Sequence, residues 1–182
     1  MNRTRCRWCN LKNPAYLAYH DSEWSRTQHD EQKLFELLVL ESFQAGLSWE
    51  TILNKRENFL KAFDGFDPHV VQCYDDRKIQ SLMQDTGIVR NRCKIDAAIQ
   101  NAAVFLKIQQ KWGSFDAYIW HFTRGETVYE VDQTRSALSD TVSNDLKSHG
   151  MTFVGTTIIY SYLQAIGIIY SHDRGCFLFR GE

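Results

Sequence analysis

The chain has 182 residues, 43% hydrophobic and 24% charged, with a net charge of −1. That size suits one domain that buries most of its apolar surface, so no disulfide framework is required. The five cysteines, an odd number with no secretory leader ahead of them, point to a reducing cytosol and a cytoplasmic protein; no apolar run approaches the roughly 18 residues of a membrane span.

The near-neutral charge decides neither for nor against nucleic acid, because affinity for phosphates depends on where the cations sit. With only two prolines and repeated 3.6-residue periodicity, the fold reads as all-α in a single domain. Residues 1–29 read as irregular, with a short turn over Pro14–His20. Asp30 can cap a helix to about Ser42, carrying Leu34, Leu37, Leu38 and Leu40 at helical spacing. The Gln44-Ala45-Gly46-Leu47 stretch breaks it, and Ser48 caps a second helix to about Phe63. Gly65 and Pro68 mark a loop, a short helix covers Pro68–Tyr74, and Asp75 or Asp76 caps another through Gln84. After the tight connection Asp85–Arg90, a long helix runs over about Asn91–Trp112. Gly113 ends it and Ser114 caps a helix to Phe122. Residues 123–138 read as loop, about Asp140–Ser148 as a helix stopped at Gly150, and about Gly155–Ile169 as a last apolar helix.

Four constellations can carry chemistry. Cys6 and His20, with Cys9 close by, stand near one end of the chain; His172 and Cys176 stand near the other. If the pairs meet in space, two thiolates and two imidazoles close a tetrahedral zinc shell with no place for substrate; otherwise they are unrelated core cysteines and surface histidines. Around Gly87, two helices joined by a glycine turn, with Arg90, Arg92 and Lys94 nearby, can present amides and cations to a phosphate. Glu41 lies within an apolar helix and must face solvent, pair or line a cavity; Glu36 reads as the solvent-facing acid of that helix. Tyr16 and Tyr19, one turn apart, read with Trp8, Trp49 and Glu41, can form an aromatic box with one carboxylate, suited to a flat cation.

Together these residues resemble the 3-methyladenine DNA glycosylase I family, the Tag type. The matching segments are Cys6-Arg7-Trp8, Pro14 through Trp24, Gln44-Ala45-Gly46-Leu47-Ser48-Trp49 behind Glu41, Lys55-Arg56-Glu57-Asn58, the hairpin through Lys94-Ile95, Phe153-Val154-Gly155-Thr156-Thr157, and His172-x3-Cys176. They run in order over nearly the whole chain. The resemblance implies a helix-hairpin-helix glycosylase that hydrolyses the N-glycosidic bond of 3-methyladenine in double-stranded DNA, as a monomer and without a strand-cleaving step. It implies one structural zinc on Cys6, His20, His172 and Cys176. It places Glu41 and Tyr19 at the reading of the base, and Tyr16, Trp49 and Trp8 around it. Gly46 and Leu47 are then expected as the wedge that fills the gap left by a flipped nucleotide, while Gly87, Arg90 and Lys94 hold the backbone. Ser25 and Arg26 depart from the family, which usually has glycine after the tryptophan. Asp132 reads as a loop acid. Two rival readings are a zinc hydrolase using Glu41 as base, and a DNA-binding module without catalysis.

Overall fold

The computed structural model describes residues 3–180. Ten α-helices make up most of it: α1 Pro14–Ser22, α2 Glu31–Gln44, α3 Trp49–Leu53, α4 Arg56–Ala62, α5 Pro68–Val71, α6 Asp76–Gln84, α7 Arg92–Trp112, α8 Phe115–His121, α9 Ala137–Ser148 and α10 Thr156–Ala165. The caps expected at Asp30, Ser48, Asp75 and Ser114 are in place, and Asn91 is a further one. Asp30, Ser48, Asp75, Asn91 and Ser114 each accept from a backbone amide in the first turn of the helix that follows, which satisfies amides that a helix start leaves unpaired.

Helix α2 is the axis of the molecule. Every residue from Leu34 to Phe43 is buried, as expected of a helix surrounded by others. Helices α7, α8 and α10 pack around it, α9 pairs with α10, and α6 leads into α7. The core so formed runs from Leu34 on α2 through Phe105 on α7 to Tyr162 on α10. A second, smaller cluster holds Cys6, Tyr16, Tyr19, Trp24, Leu53 and Cys176. It joins the two chain ends beside the main core.

Four expectations about elements are corrected. The turn over Pro14–His20 is a full helix, α1, capped by Asn13, whose side chain also donates to Glu50 at 2.8 Å. The helix expected from Ser48 to Phe63 is two helices, broken at Asn54 and Lys55. The loop at 123–138 contains a strand, β1, Val128–Tyr129, and α9 starts inside it on a Ser136–Ser139 capping box. The last helix ends at Ala165; Ile169–Tyr170 forms β2, parallel to β1. The turn before β2 depends on Gly167, at φ 76°, where a Cβ would sit 2.4 Å from the Arg26 carbonyl carbon.

Candidate functional site

The termini meet. Among the described residues, the ligand atoms of Cys6, His20, His172 and Cys176 all lie within 4.8 Å of one another, and all four side chains are buried. Cys6 Sγ is 3.4 Å from His172 Nδ1, and Cys176 Sγ is 3.5 Å from His20 Nε2 and 3.6 Å from His172 Nδ1. In a tetrahedral zinc site, sulfur and nitrogen ligands are separated by about 3.6 Å, so the donor set and its spacing fit a metal ion. The His20 ring is aimed from behind: its Nδ1 lies 2.8 Å from Asp21 Oδ1, and both oxygens of Asp21 accept from Arg5 at 2.6–2.7 Å. Arg5 first, then the His20 hydrogen bond, hold Asp21 down at about 2 despite partial burial. Such a carboxylate fixes the tautomer that leaves Nε2 free to ligate. Burial lowers His172 to about 4, which keeps its imidazole neutral, the form that binds metal. The amides of Asp173 and Leu178 donate to the Cys6 and Cys176 sulfurs at 3.3 and 3.4 Å. Cys9 is outside the cluster, with its thiol turned to the Tyr16 carbonyl at 3.8 Å.

Beside this cluster opens a cavity of about 380 Å³. Its walls include Trp8, Tyr16, Tyr19, Trp24, Trp49 and Glu41, so the structure brings together all the residues expected to surround a base. Tyr19 and Trp49 have ring centroids 5.2 Å apart, Trp8 and Tyr16 5.5 Å, and Trp8 stands edge-on to Trp24 at 4.6 Å. The Cys/His cluster and the cavity share a helix, since His20 follows Tyr19 on α1. Asn10 and Asn13 tie the start of that helix to Glu50 on α3, which carries Trp49.

Glu41 is 3% exposed and has no hydrogen-bond partner among the described residues; desolvation alone raises it to about 8. It lines the cavity rather than solvent. Glu36, expected to face solvent, is buried instead: it accepts from Arg56 Nε at 2.6 Å and pairs with Lys33. Arg56 also holds both oxygens of Glu23, so one guanidinium ties the end of α1 to α2 and α4. The Trp49 indole Nε1 is buried without a partner.

Between α2 and α3, Gly46 takes φ 78° with open space where a side chain would be, and Leu47 is 39% exposed. Leu47 therefore does not tuck back into the core. Lys94 is corrected too. It does not reach toward a phosphate; it is buried, and its Nζ donates to the carbonyls of Phe43 and Ala45 at 2.8 and 2.5 Å. It caps the end of α2 and so holds the Gly46–Leu47 turn. Gly87 has no positive φ, and its need is room: a Cβ there would meet Asn58 at 3.1 Å. Lys55 Nζ donates to the Thr86 and Gly87 carbonyls, and Asn58 donates to Gly87. The Lys55–Asn58 segment thus fixes the turn between α6 and α7. Arg90 is exposed, and among the described residues no carboxylate is within salt-bridge distance of it.

Asp132, read as a loop acid, is in the cavity rim, where its Oδ1 accepts from Arg7 Nη2 at 2.7 Å; Arg7 also bonds Asp173 through its amide and Nε. Gln44, Ser161, Gln164 and Ser171 line the cavity as well. Gln44 lies in the segment singled out before Trp49, but nothing local marks the other three, which converge from α10 and from the residue after β2. Ser25 explains the departure after Trp24. Its φ of 60° is the left-handed region that favours glycine, and its hydroxyl donates to the Ile169 carbonyl at 3.4 Å.

A model of the methyladenine glycosylase family matches residues 8–179. The chain is 43% identical over 185 aligned residues to DNA-3-methyladenine glycosylase 1 of Escherichia coli (strain K12), covering 98% of each chain. It is similar to a crystal structure of 3-methyladenine DNA glycosylase I (TAG), with TM-score 0.93 and 41% identity, over 97% of this chain and 100% of that one. A second crystal structure, of a tyrosine-to-phenylalanine variant of 3-methyladenine DNA glycosylase I in complex with 3-methyladenine, has TM-score 0.88 and 36% identity over 92% of this chain and 93% of that chain. With the family match running from Trp8 through Glu41 to beyond Cys176, the chain belongs to the methyladenine glycosylase family.

Proposed function

We propose that this protein is a base-excision-repair DNA glycosylase that hydrolyses the N-glycosidic bond of 3-methyladenine in alkylated double-stranded DNA and releases the free base. The observation that carries the reading is Glu41, a buried and unpaired carboxyl in a cavity walled by aromatic rings. A buried carboxyl with no partner is costly when ionised, and the cost falls when a cation arrives beside it. Methylation at N3 makes the adenine of a nucleoside cationic and flat, so it fits both features: the rings stack on it and the carboxylate compensates its charge. The Trp49 Nε1 donor, buried without a partner, adds a hydrogen bond waiting for an acceptor.

The alkylated base is already a good leaving group. The C1′–N9 bond breaks with its electron pair going to the base, which becomes neutral, and a water oxygen bonds to C1′ and gives its proton to solvent. Glu41 and Tyr19 read the base by hydrogen bonds, and Tyr16, Trp49 and Trp8 enclose it. The reading includes base release without strand cleavage, and among the described residues that line the cavity there is no lysine. Leu47, exposed on the Gly46 turn, acts as the wedge that offsets part of the unstacking cost of roughly a few kcal/mol. Helices α6 and α7 act as a helix-hairpin-helix on the DNA backbone. This is supported by Arg90 and by the Val89 and Arg90 amides, which have no protein acceptor among the described residues. Zinc on Cys6, His20, His172 and Cys176 would be structural, supplying a four-coordinate tie between the chain ends and leaving no open position for a hydrolytic water.

The test is incubation of the protein with alkylated duplex DNA, followed by identification of released bases and analysis of strand length. Free 3-methyladenine with uncleaved strands is expected. Duplex binding without release of any base would replace the enzyme reading with that of a DNA-binding module.

A further inference from the structure

Two more cavities, of about 190 and 170 Å³, lie next to the Glu41 cavity; they share Tyr129, Tyr170, His172 and Arg180 and so form one groove over the β1–β2 pair. Arg26, Arg174 and Arg180 line it and no carboxylate does. In a chain of net charge −1, that is a local concentration of one sign. Among the described residues no carboxylate is within salt-bridge distance of these three arginines. Arg26 gives one N–H to the Asp21 carbonyl, and Arg180 lies over the Tyr170 ring, 5.7 Å from its centroid. Tyr129 is 60% exposed, with its ring against Tyr170 at 5.4 Å. A solvent-facing aromatic ring next to free guanidinium groups is the chemistry that holds a nucleic-acid strand: the ring takes a base face and the cations take phosphates.

The position selects the partner. Val131 and Arg174 line the groove, while the next residue in one case and the preceding residue in the other, Asp132 and Asp173, line the Glu41 cavity. The groove therefore adjoins the cavity rim, within reach of a strand whose nucleotide enters the cavity. We propose that this groove binds the phosphodiester backbone of the substrate strand flanking the extruded nucleotide, with phosphates on Arg174 and Arg180 and a base face on Tyr129. The proposal rests on the glycosylase reading and adds to it a second contact beyond the base cavity and the α6–α7 turn.

The experiment measures affinity of the full chain for a duplex carrying one tetrahydrofuran abasic analogue, as a function of salt, alongside affinity for free 3-methyladenine. Replacing both arginines (Arg174→Gln with Arg180→Gln) is expected to weaken duplex binding by about tenfold at low salt and to reduce the log–log salt slope by about 2, roughly 0.9 per lost phosphate contact. Free-base affinity is expected to stay at the wild-type level. The pair Arg174→Lys with Arg180→Lys keeps the charge and is expected to recover the slope. Tyr129→Ala is expected to weaken duplex binding with the slope unchanged. An unchanged slope and affinity in the glutamine pair overturns the proposal. So does a lysine pair that loses as much as the glutamine pair, since the loss would then come from packing around His172. If the wild type binds the duplex through the groove yet releases no base, the glycosylase reading fails and the groove stands. If excision is intact and the glutamine pair binds as wild type, the groove fails and the glycosylase reading stands.

Discussion

Glu41 carries its proton in the folded protein under conditions where an unfolded chain would have lost it. Desolvation raises it from 4.5 to about 8, so between those values the native state holds a proton that the unfolded state releases. Stability therefore falls as pH rises through that window, by at most about 5 kcal/mol, less to the extent that water in the cavity screens the carboxylate. Glu41→Gln removes the titration. Its stabilising effect, read from denaturant melts, is expected to be small near pH 5 and to grow to its full size above pH 8. The same variant is expected to bind 3-methyladenine more weakly with the fold unchanged; a pH-independent difference in stability would place Glu41 in contact with bulk solvent. Leu47 is the opposite kind of residue, apolar and exposed at 39%. Leu47→Ala is expected to lower excision from duplex DNA while leaving free-base binding intact. Its stability cost should stay well below the roughly 2–5 kcal/mol of a core leucine. Both residues were visible in the sequence as misfits, an acid in an apolar helix and a leucine in a glycine turn. The misfit did not say which way Leu47 points. Nor did it reveal that Glu36 is the acid that pairs with Arg56, because the partner lies on a different helix.

Most helix starts were legible, and five of them are capped by a side chain one turn ahead. Helices α2, α3, α6, α7 and α8 begin on an Asp, Asn or Ser whose side chain accepts from the first turn, and such starts are written locally. Helix α1 is capped too, by Asn13, but its nine residues carry too little apolar periodicity to read as more than a turn; Asn13 also ties it to Glu50. The β1–β2 pair was invisible for the same reason, since each strand is two residues long and is defined by its partner. Lys94 shows the cost of reading charge without geometry. A lysine at the start of a helix beside two arginines suggested phosphate, but its ammonium caps the carboxyl end of α2. Lys94→Met leaves the Phe43 and Ala45 carbonyls without their donor, which should cost about 1–3 kcal/mol. Denaturant melts should show that loss, and the salt slope of duplex binding should be unchanged. A slope lower by about 1 with stability intact would return Lys94 to the DNA backbone.

At the scale of the whole molecule, the chain ends and the main core are separate packing units. The cluster of Cys6, Tyr16, Tyr19, Trp24, Leu53 and Cys176 is distinct from the larger core built on α2, α7 and α10. That division predicts what metal loss does. In a small zinc finger the metal supplies nearly all the folding energy, but here none of the four candidate ligands belongs to the main core. Removing the ion by chelation, or one ligand by His172→Ala, should therefore release the smaller cluster and leave the larger one folded. Helical circular dichroism should be largely retained. Hydrogen exchange should rise over α1 and over residues 170–179, while α2, α7 and α10 keep their protection. Free-base binding should be lost with α1, because Tyr16 and Tyr19 stand on the same helix as His20 and form one wall of the cavity. Cys9→Ser should leave metal content and exchange unchanged, since its thiol faces the Tyr16 carbonyl and not the cluster. Unfolding of the entire chain on metal loss would show that the two clusters are one cooperative unit. Unaltered protection of α1 would show that the Asn13–Glu50 link, rather than the metal, sets the aromatic wall.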